Sequence, residues 1–161
     1  MASASSVAVR PWWRRVLPSA VLQRTLGTAA AAAPGFDAYV HLNDAGFYDA
    51  VRTSAISQGT LFRVQGAVAA AAGLALLVRP SRLWRSVAVI VAVSAFGAVM
   101  LYRYADVGAL RPIPDMYEPT WAPPGKLASA WAEGAATILT AAGLLVAGAE
   151  PSRRGQRWNH R

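Results

Sequence analysis

Apolar residues in this chain gather into four long runs, and nearly all the charge lies between them. The runs cover about residues 16–40, 61–78, 83–104 and 127–149, and they lack the i, i+3, i+4 apolar spacing that marks the half-exposed helix of a soluble domain. The second, Leu61 to Val78, makes a helix of about 27 Å, close to the hydrocarbon thickness of a bilayer. The third, Leu83 to Leu101, carries no charge after Arg85 and closes on Tyr102, Arg103 and Tyr104, an aromatic and basic interface pattern. The first is the weakest: Pro18 sits near its start, Gln23 and Arg24 interrupt it, and Leu26 to Ala33 is mostly alanine. It also reads as a secretory leader with an alanine-rich cleavage zone. Pro34 would then follow the scissile bond, which favours retention as a helix.

The segments between the runs have their own signatures. Residues 34–60 hold Asp37, His41, Asp44, Asp49 and Arg52, and Gly35, Gly46 and Asn43-Asp44 supply turn chemistry, so a mixed loop is expected there. Residues 105–126 contain Pro112, Pro114, Pro119, Pro123 and Pro124, too many for a regular helix. The pattern therefore predicts an all-α polytopic membrane protein. Its membrane domain is a four-helix transmembrane bundle over residues 16–149, between basic cytoplasmic tails at 1–15 and 150–161.

Charge sets the orientation. Arg10, Arg14 and Arg15, then Arg79, Arg82 and Arg85, then Arg153, Arg154, Arg157 and Arg161 each abut an apolar run, whereas most acidic residues fall in the two other loops. Under the positive-inside rule this gives both termini in the cytoplasm, with Trp12 and Trp13 as interfacial anchors. Charged residues make up 15% of the chain, against about 25% in ordinary soluble proteins. The net charge of +8 is accounted for by these flanks, so no nucleic-acid role is expected. The chain has no cysteine, which excludes disulfides and thiolate chemistry.

One polar stripe crosses the fourth run. Ser129, Glu133, Thr137 and Thr140 share a helix face, and Glu133 lies about 10 Å along the helix from Lys126. A carboxylate in lipid costs about 2.5–3.5 kcal/mol at the centre of a span, so it is expected to turn inward and find a partner. Arg63 and Arg103 are the candidate partners, with Gln58 and Gln65 nearby. Small residues at Gly66, Ala70 and Gly73, and at Ala128, Ala132 and Ala136, offer faces for close helix crossing. His41 with Asp44 and Asp49 is a weak metal pattern, and no metal or cofactor is expected. Asp106, Asp115, Tyr117, Glu118 and Trp121 make the second outer loop a candidate recognition surface.

Ser57-Gln58-Gly59-Thr60-Leu61-Phe62-Arg63-Val64-Gln65, Leu101-Tyr102-Arg103-Tyr104-Ala105-Asp106-Val107-Gly108 and Pro114-Asp115-Met116-Tyr117-Glu118-Pro119-Thr120-Trp121 carry a resemblance. Together they look like a group of uncharacterised small membrane proteins of GC-rich bacteria, over about residues 25–147. In helix count and size the chain is also loosely similar to DoxX-like membrane proteins, some of which are linked to redox or quinone partners. The resemblance implies a multi-pass protein of the bacterial plasma membrane. Two roles follow as expectations. One is a non-enzymatic subunit, scaffold or envelope-associated factor whose partners are the bilayer and other membrane proteins or further copies of itself. The other is a small transporter, channel or quinone-associated component using an intramembrane Glu–Arg pair. The first predicts a filled interior around Glu133, the second a hydrated path or pocket reaching it.

Overall fold

The computed structural model describes residues 20–123 and 125–148, with side chains in the first and last helices described over 25–44 and 126–145. Both basic tails, the interfacial Trp12 and Trp13, and the side chain of Arg24 lie outside that range. Among the described residues there are four helices and no strands: α1 (Ala20–Asp44), α2 (Gln58–Val78), α3 (Arg82–Tyr104) and α4 (Lys126–Gly148).

Local chemistry sets the helix starts. Ser57 caps α2 by accepting the Thr60 N–H at 3.0 Å, and Ser81 caps α3 by accepting the Trp84 N–H at 3.3 Å. Each hydroxyl satisfies one of the orphan donors of a first helical turn. Gly125 opens α4 with φ +76°, and its carbonyl accepts the Ser129 N–H. A side chain at position 125 would meet the Asp44 carboxylate as well as that backbone strain.

The helices pack as a ring in which α1 touches α2 and α4, and α3 touches α4 and α2, while the diagonal pairs barely meet. The neighbours run antiparallel. Along α2, Gly59, Gly66 and Gly73 lie in turn against Ala45 and Asp49, against Ala38 and Leu42, and against Ala31, Pro34 and Gly35, so α1 is read backwards. Gly143 of α4 sits against Ala30, and Gly134 against Phe96 of α3. The α2–α3 pair is the loosest of the four contacts; these helices are joined by a tight turn at one end and separate towards the other.

What lies inside is small. Buried positions include Ala30, Ala31 and Ala38 on α1, Ala69 and Ala72 on α2, Ala88, Ala92 and Ala95 on α3, and Ala132 and Ala136 on α4. Ala30 and Ala31 are upstream of the candidate cleavage point, so the segment with two readings supplies part of the core. The larger apolar side chains turn outward, among them Leu74 and Leu77 on α2, Ile90 on α3, and Trp131 (73% exposed) and Leu145 (76% exposed) on α4. Of the small-residue faces expected from sequence, Gly66, Gly73, Ala132 and Ala136 are buried, but Ala70 and Ala128 are exposed. Gly59, one heptad before Gly66, takes a place in the α1–α2 seam instead.

Among the described residues two helices, α2 and α3, are long and apolar enough to cross a membrane. The bundle is also polarised along its axis. Near the α2–α3 turn Ala31, Ala72, Leu76 and Ala88 form an apolar cluster with Trp84 and Val87, whereas five of the six buried polar residues, Asp37, His41, Gln58, Ser129 and Glu133, gather towards the other end, Thr140 excepted.

One boundary differs in a way that matters. The first apolar run was expected to reach about residue 40 while residues 34–60 also read as a mixed loop; α1 runs through Pro34 to Asp44. A proline inside a helix removes one backbone hydrogen bond. Here its ring lies beside Gly73, against the glycine face of α2. Asp37 and His41 therefore belong to a helix face rather than to a loop.

Candidate functional site

The extension of α1 places Asp37 and His41 one turn apart on the same face. They meet Glu133 of α4. The His41 Nε2 lies 3.3 Å from Glu133 Oε1, and His41 Nδ1 lies 3.2 Å from Asp37 Oδ1 and 3.1 Å from the Asp37 carbonyl oxygen. All three are buried, at 1%, 4% and 0% exposure for Asp37, His41 and Glu133. Ser129 donates its hydroxyl to Glu133 Oε1 at 2.8 Å, which is the i, i+4 contact of the polar stripe on α4. Farther along that stripe, Thr140 donates back to the Ala136 carbonyl at 2.7 Å. The imidazole is held from the side by Phe62 at 5.1 Å between ring centroids, and Phe62 in turn packs on Tyr48.

The arginines expected beside Glu133 are elsewhere. Arg63, on the first turns of α2, faces outward and makes a two-pronged contact with Asp49, at 2.8 Å from Nη1 to Oδ1 and 2.7 Å from Nη2 to Oδ2. Ser57 adds a hydrogen bond to the same carboxylate at 3.0 Å. Arg103 stacks over the rings of Tyr104 and Trp121. The physical reason is the added length of α1, which carries His41 to the level of Glu133 and leaves the loop after it, with Asp49, over the start of α2. Nor does His41 form a site with Asp44 and Asp49: Asp44 accepts from Asn43 and Asp49 is taken by Arg63.

The Arg63 guanidinium, assisted by Ser57, holds the Asp49 carboxyl down at about 2. A depressed folded-state value means that the stabilisation is present above the unfolded value, near 4, and is lost as pH falls through about 2. A carboxyl-carbon NMR titration is expected to show Asp49 still ionised at pH 3. In Arg63→Ala its midpoint is expected to return towards the ordinary carboxylate range. An unchanged midpoint would contradict the pairing.

Beside the buried cluster lies a cavity of about 430 Å³, whose walls include His41, Gln58, Gln65, Ser129 and Glu133. Its apolar side is built from Leu61 and Val64 of α2 and Ala95, Ala98 and Val99 of α3, at the end where those two helices separate. The proline-rich segment covers it with Ile113, Met116 and Glu118. That cover is pinned. The Glu118 backbone N–H donates to the Tyr102 carbonyl at 3.0 Å, Lys126 Nζ donates to the Glu118 carbonyl, and Trp121 lies under both Arg103 and Lys126. Asp106 and Asp115 accept from the Gly108 and Tyr117 backbone N–H groups and so shape turns in the same segment.

Several buried polar atoms meet no hydrogen-bond partner among the described residues: Asp37 Oδ1, Glu133 Oε2, Gln65 Nε2, Arg103 Nε and Thr137 Oγ1. Buried polar groups are nearly always paired, with protein, water or a bound group, and two of these, on Gln65 and Glu133, belong to residues of the cavity wall. Sequence reasoning reached Glu133, Ser129, Gln58 and Gln65 but missed Asp37. The i, i+4 spacing of Asp37 and His41 is the available signal, hidden by the reading of residues 34–60 as a mixed loop. Neither a known protein family, a curated protein nor a solved structure matches this chain.

Proposed function

We propose that the chain is a four-span protein of the plasma membrane, with both tails in the cytoplasm, that takes a small amphipathic molecule into the interior of its bundle. The lipid setting is supported by the distribution of side chains. In the apolar windows of α2 and α3 only 28% and 22% of residues are buried, so these helices present their apolar surface outward, opposite to the core helices of a water-soluble bundle. Meanwhile the largest fully buried side chains are Glu133, Thr140 and Asp37.

The observation that carries the binding role is the cavity of about 430 Å³ reaching Glu133. It falls within the range of small-molecule sites, about 300–1,000 Å³. A pure scaffold would fill this space. The wall fits a ligand with a polar head, which accepts from Gln65 and donates to Glu133, and an apolar tail lying between the separated ends of α2 and α3. Binding, rather than turnover, is the role these groups support.

Ala98→Trp fills the apolar side of the cavity from α3 without touching the buried polar cluster. Native mass spectrometry of the purified wild-type protein in mild detergent is expected to show a bound small molecule, and Ala98→Trp is expected to lose it while keeping its helical content. Wild-type protein free of any such adduct, or an adduct equally abundant in Ala98→Trp, would count against the cavity as the binding site.

A further inference from the structure

The buried cluster beside the cavity holds more negative charge than the described side chains neutralise. Asp37 and Glu133 are both carboxylates, and the basic side chain that meets them is His41. Arg63 is engaged with Asp49, Arg103 with two aromatic rings and Lys126 with the Glu118 carbonyl. Buried charge that is neither paired nor hydrogen-bonded is costly enough that proteins neutralise it by pairing, protonation or metal coordination.

Hydrogen bonding leaves the same imbalance in finer detail. The Asp37 carbonyl 3.1 Å from His41 Nδ1 can only accept, so Nδ1 carries the hydrogen. In a neutral imidazole, Nε2 then turns its lone pair towards Glu133 Oε1 at 3.3 Å, acceptor against acceptor. Glu133 Oε2, buried, has no hydrogen-bond partner among the described residues, and Asp37 Oδ1 meets only His41 Nδ1, whose hydrogen the Asp37 carbonyl already takes. A cation at this point resolves all three features together.

We propose that Asp37, His41 and Glu133 bind one divalent transition-metal ion of the zinc, iron and manganese class. One ligand atom from each residue lies within 4.8 Å of the other two, so rotation of the Asp37 carboxylate away from Nδ1, with a small closure, brings them to a shared ion at bond lengths of about 2.0–2.2 Å. Two carboxylates and a neutral imidazole offset a charge of +2. One nitrogen and two oxygen donors, with no sulfur, suit this class of ion rather than copper(I). The i, i+4 spacing of Asp37 and His41 is the spacing by which helices present two ligands on one face, and α4 supplies the third. The surrounding contacts are those of a supported metal site: the Nδ1–H donates to a backbone carbonyl and fixes Nε2 as the ligating atom, and Ser129 orients the Glu133 carboxylate. Three protein ligands leave a coordination position open towards the cavity. The metal site stands on the cluster alone, so it and the small-molecule site can fail separately.

The test uses the full chain in mild detergent, with any purification tag removed, stripped with a chelator at pH 7. Zinc(II) alone and cobalt(II) alone are the probes. Wild type is expected to retain one zinc per chain after desalting, by elemental mass spectrometry, and to give a visible cobalt absorption band that zinc displaces. His41→Gln and Glu133→Gln are expected to weaken binding by at least about tenfold and Ser129→Ala by less, in line with loss of a ligand and of a supporting contact. Arg63→Ala is expected to bind as wild type does. Helical circular dichroism and size-exclusion behaviour identify folded variants, and Asp37→Asn replaces any ligand variant that does not fold. Substoichiometric zinc with no cobalt band would overturn the site. So would undiminished binding in the folded ligand variants, or nitrogen NMR showing both His41 ring nitrogens protonated in excess zinc.

Discussion

Gly66→Leu is expected to break the seam between α1 and α2. A Cβ at this position would lie 2.9 Å from Leu42 Cγ and 3.2 Å from the Ala38 carbonyl oxygen. Leu42 can shift, but the carbonyl belongs to the α1 backbone, and a leucine adds three further carbons behind the Cβ. Overpacking a tight contact costs about 1–3 kcal/mol and sometimes more. The larger consequence is geometric. The same seam sets the height of His41 against Glu133, so a wedge at residue 66 is expected to open the polar cluster as well. Gly97 on α3 is the matched control, because a Cβ there meets nothing within 4 Å. Gly97→Leu is expected to leave the thermal midpoint in detergent close to that of wild type, while Gly66→Leu lowers it clearly. Equal midpoints for the two variants would show that α1 and α2 do not cross at the glycines.

The second large effect is an asymmetry between His41 and Glu133. His41→Leu removes the basic member and leaves two buried carboxylates, with Ser129 the one side chain among the described residues that donates to Glu133. Removing one partner of a buried ion pair costs about 3–5 kcal/mol. Glu133→Gln is different. It keeps the shape and an acceptor for Ser129, and it leaves Asp37 beside His41 as a balanced pair 3.2 Å apart. In metal-free buffer at pH 7, chemical or thermal unfolding in detergent is therefore expected to show His41→Leu strongly destabilised and Glu133→Gln close to wild type. Equal losses would mean that the charge count around the cluster is wrong.

Much of the architecture was legible in the sequence, for physical reasons visible at particular residues. Apolar runs bounded by arginine and proline gave four helices. The starts of α2 and α3 at Gln58 and Arg82 fall close to the expected 61 and 83, because Ser57 and Ser81 cap locally and Pro80 stops what precedes. The inward face of Ser129, Glu133 and Thr140 followed from helical periodicity and the cost of a carboxylate in lipid. The partner of Glu133 did not follow. Arg63 and Arg103 were the natural choices by charge, but charge says nothing about which helices adjoin. The ring order sets α4 against α1, and α1 continues past Pro34 to Asp44 with Pro34 beside Gly73 of α2. Turn chemistry at Gly35, Gly46 and Asn43-Asp44 pointed to a loop over 34–60, although the apolar run itself reached about residue 40. Asp37 was hidden for the same reason, since a loop aspartate is unremarkable whereas one buried a turn from a histidine is not.

Four crossings of a bilayer underlie the whole account, and the natural absence of cysteine makes one measurement decisive. Single cysteines at Ser5, Ser54, Pro80, Ala109 and Trp158 are labelled in intact cells with a membrane-impermeant thiol reagent, before and after permeabilisation. Ser54 and Ala109 are expected to label from outside, and Ser5, Pro80 and Trp158 only after permeabilisation. Labelling of Ser5 and Trp158 from the same side as Ser54 would leave α2 and α3 as the only spans and would contradict the four-helix membrane bundle.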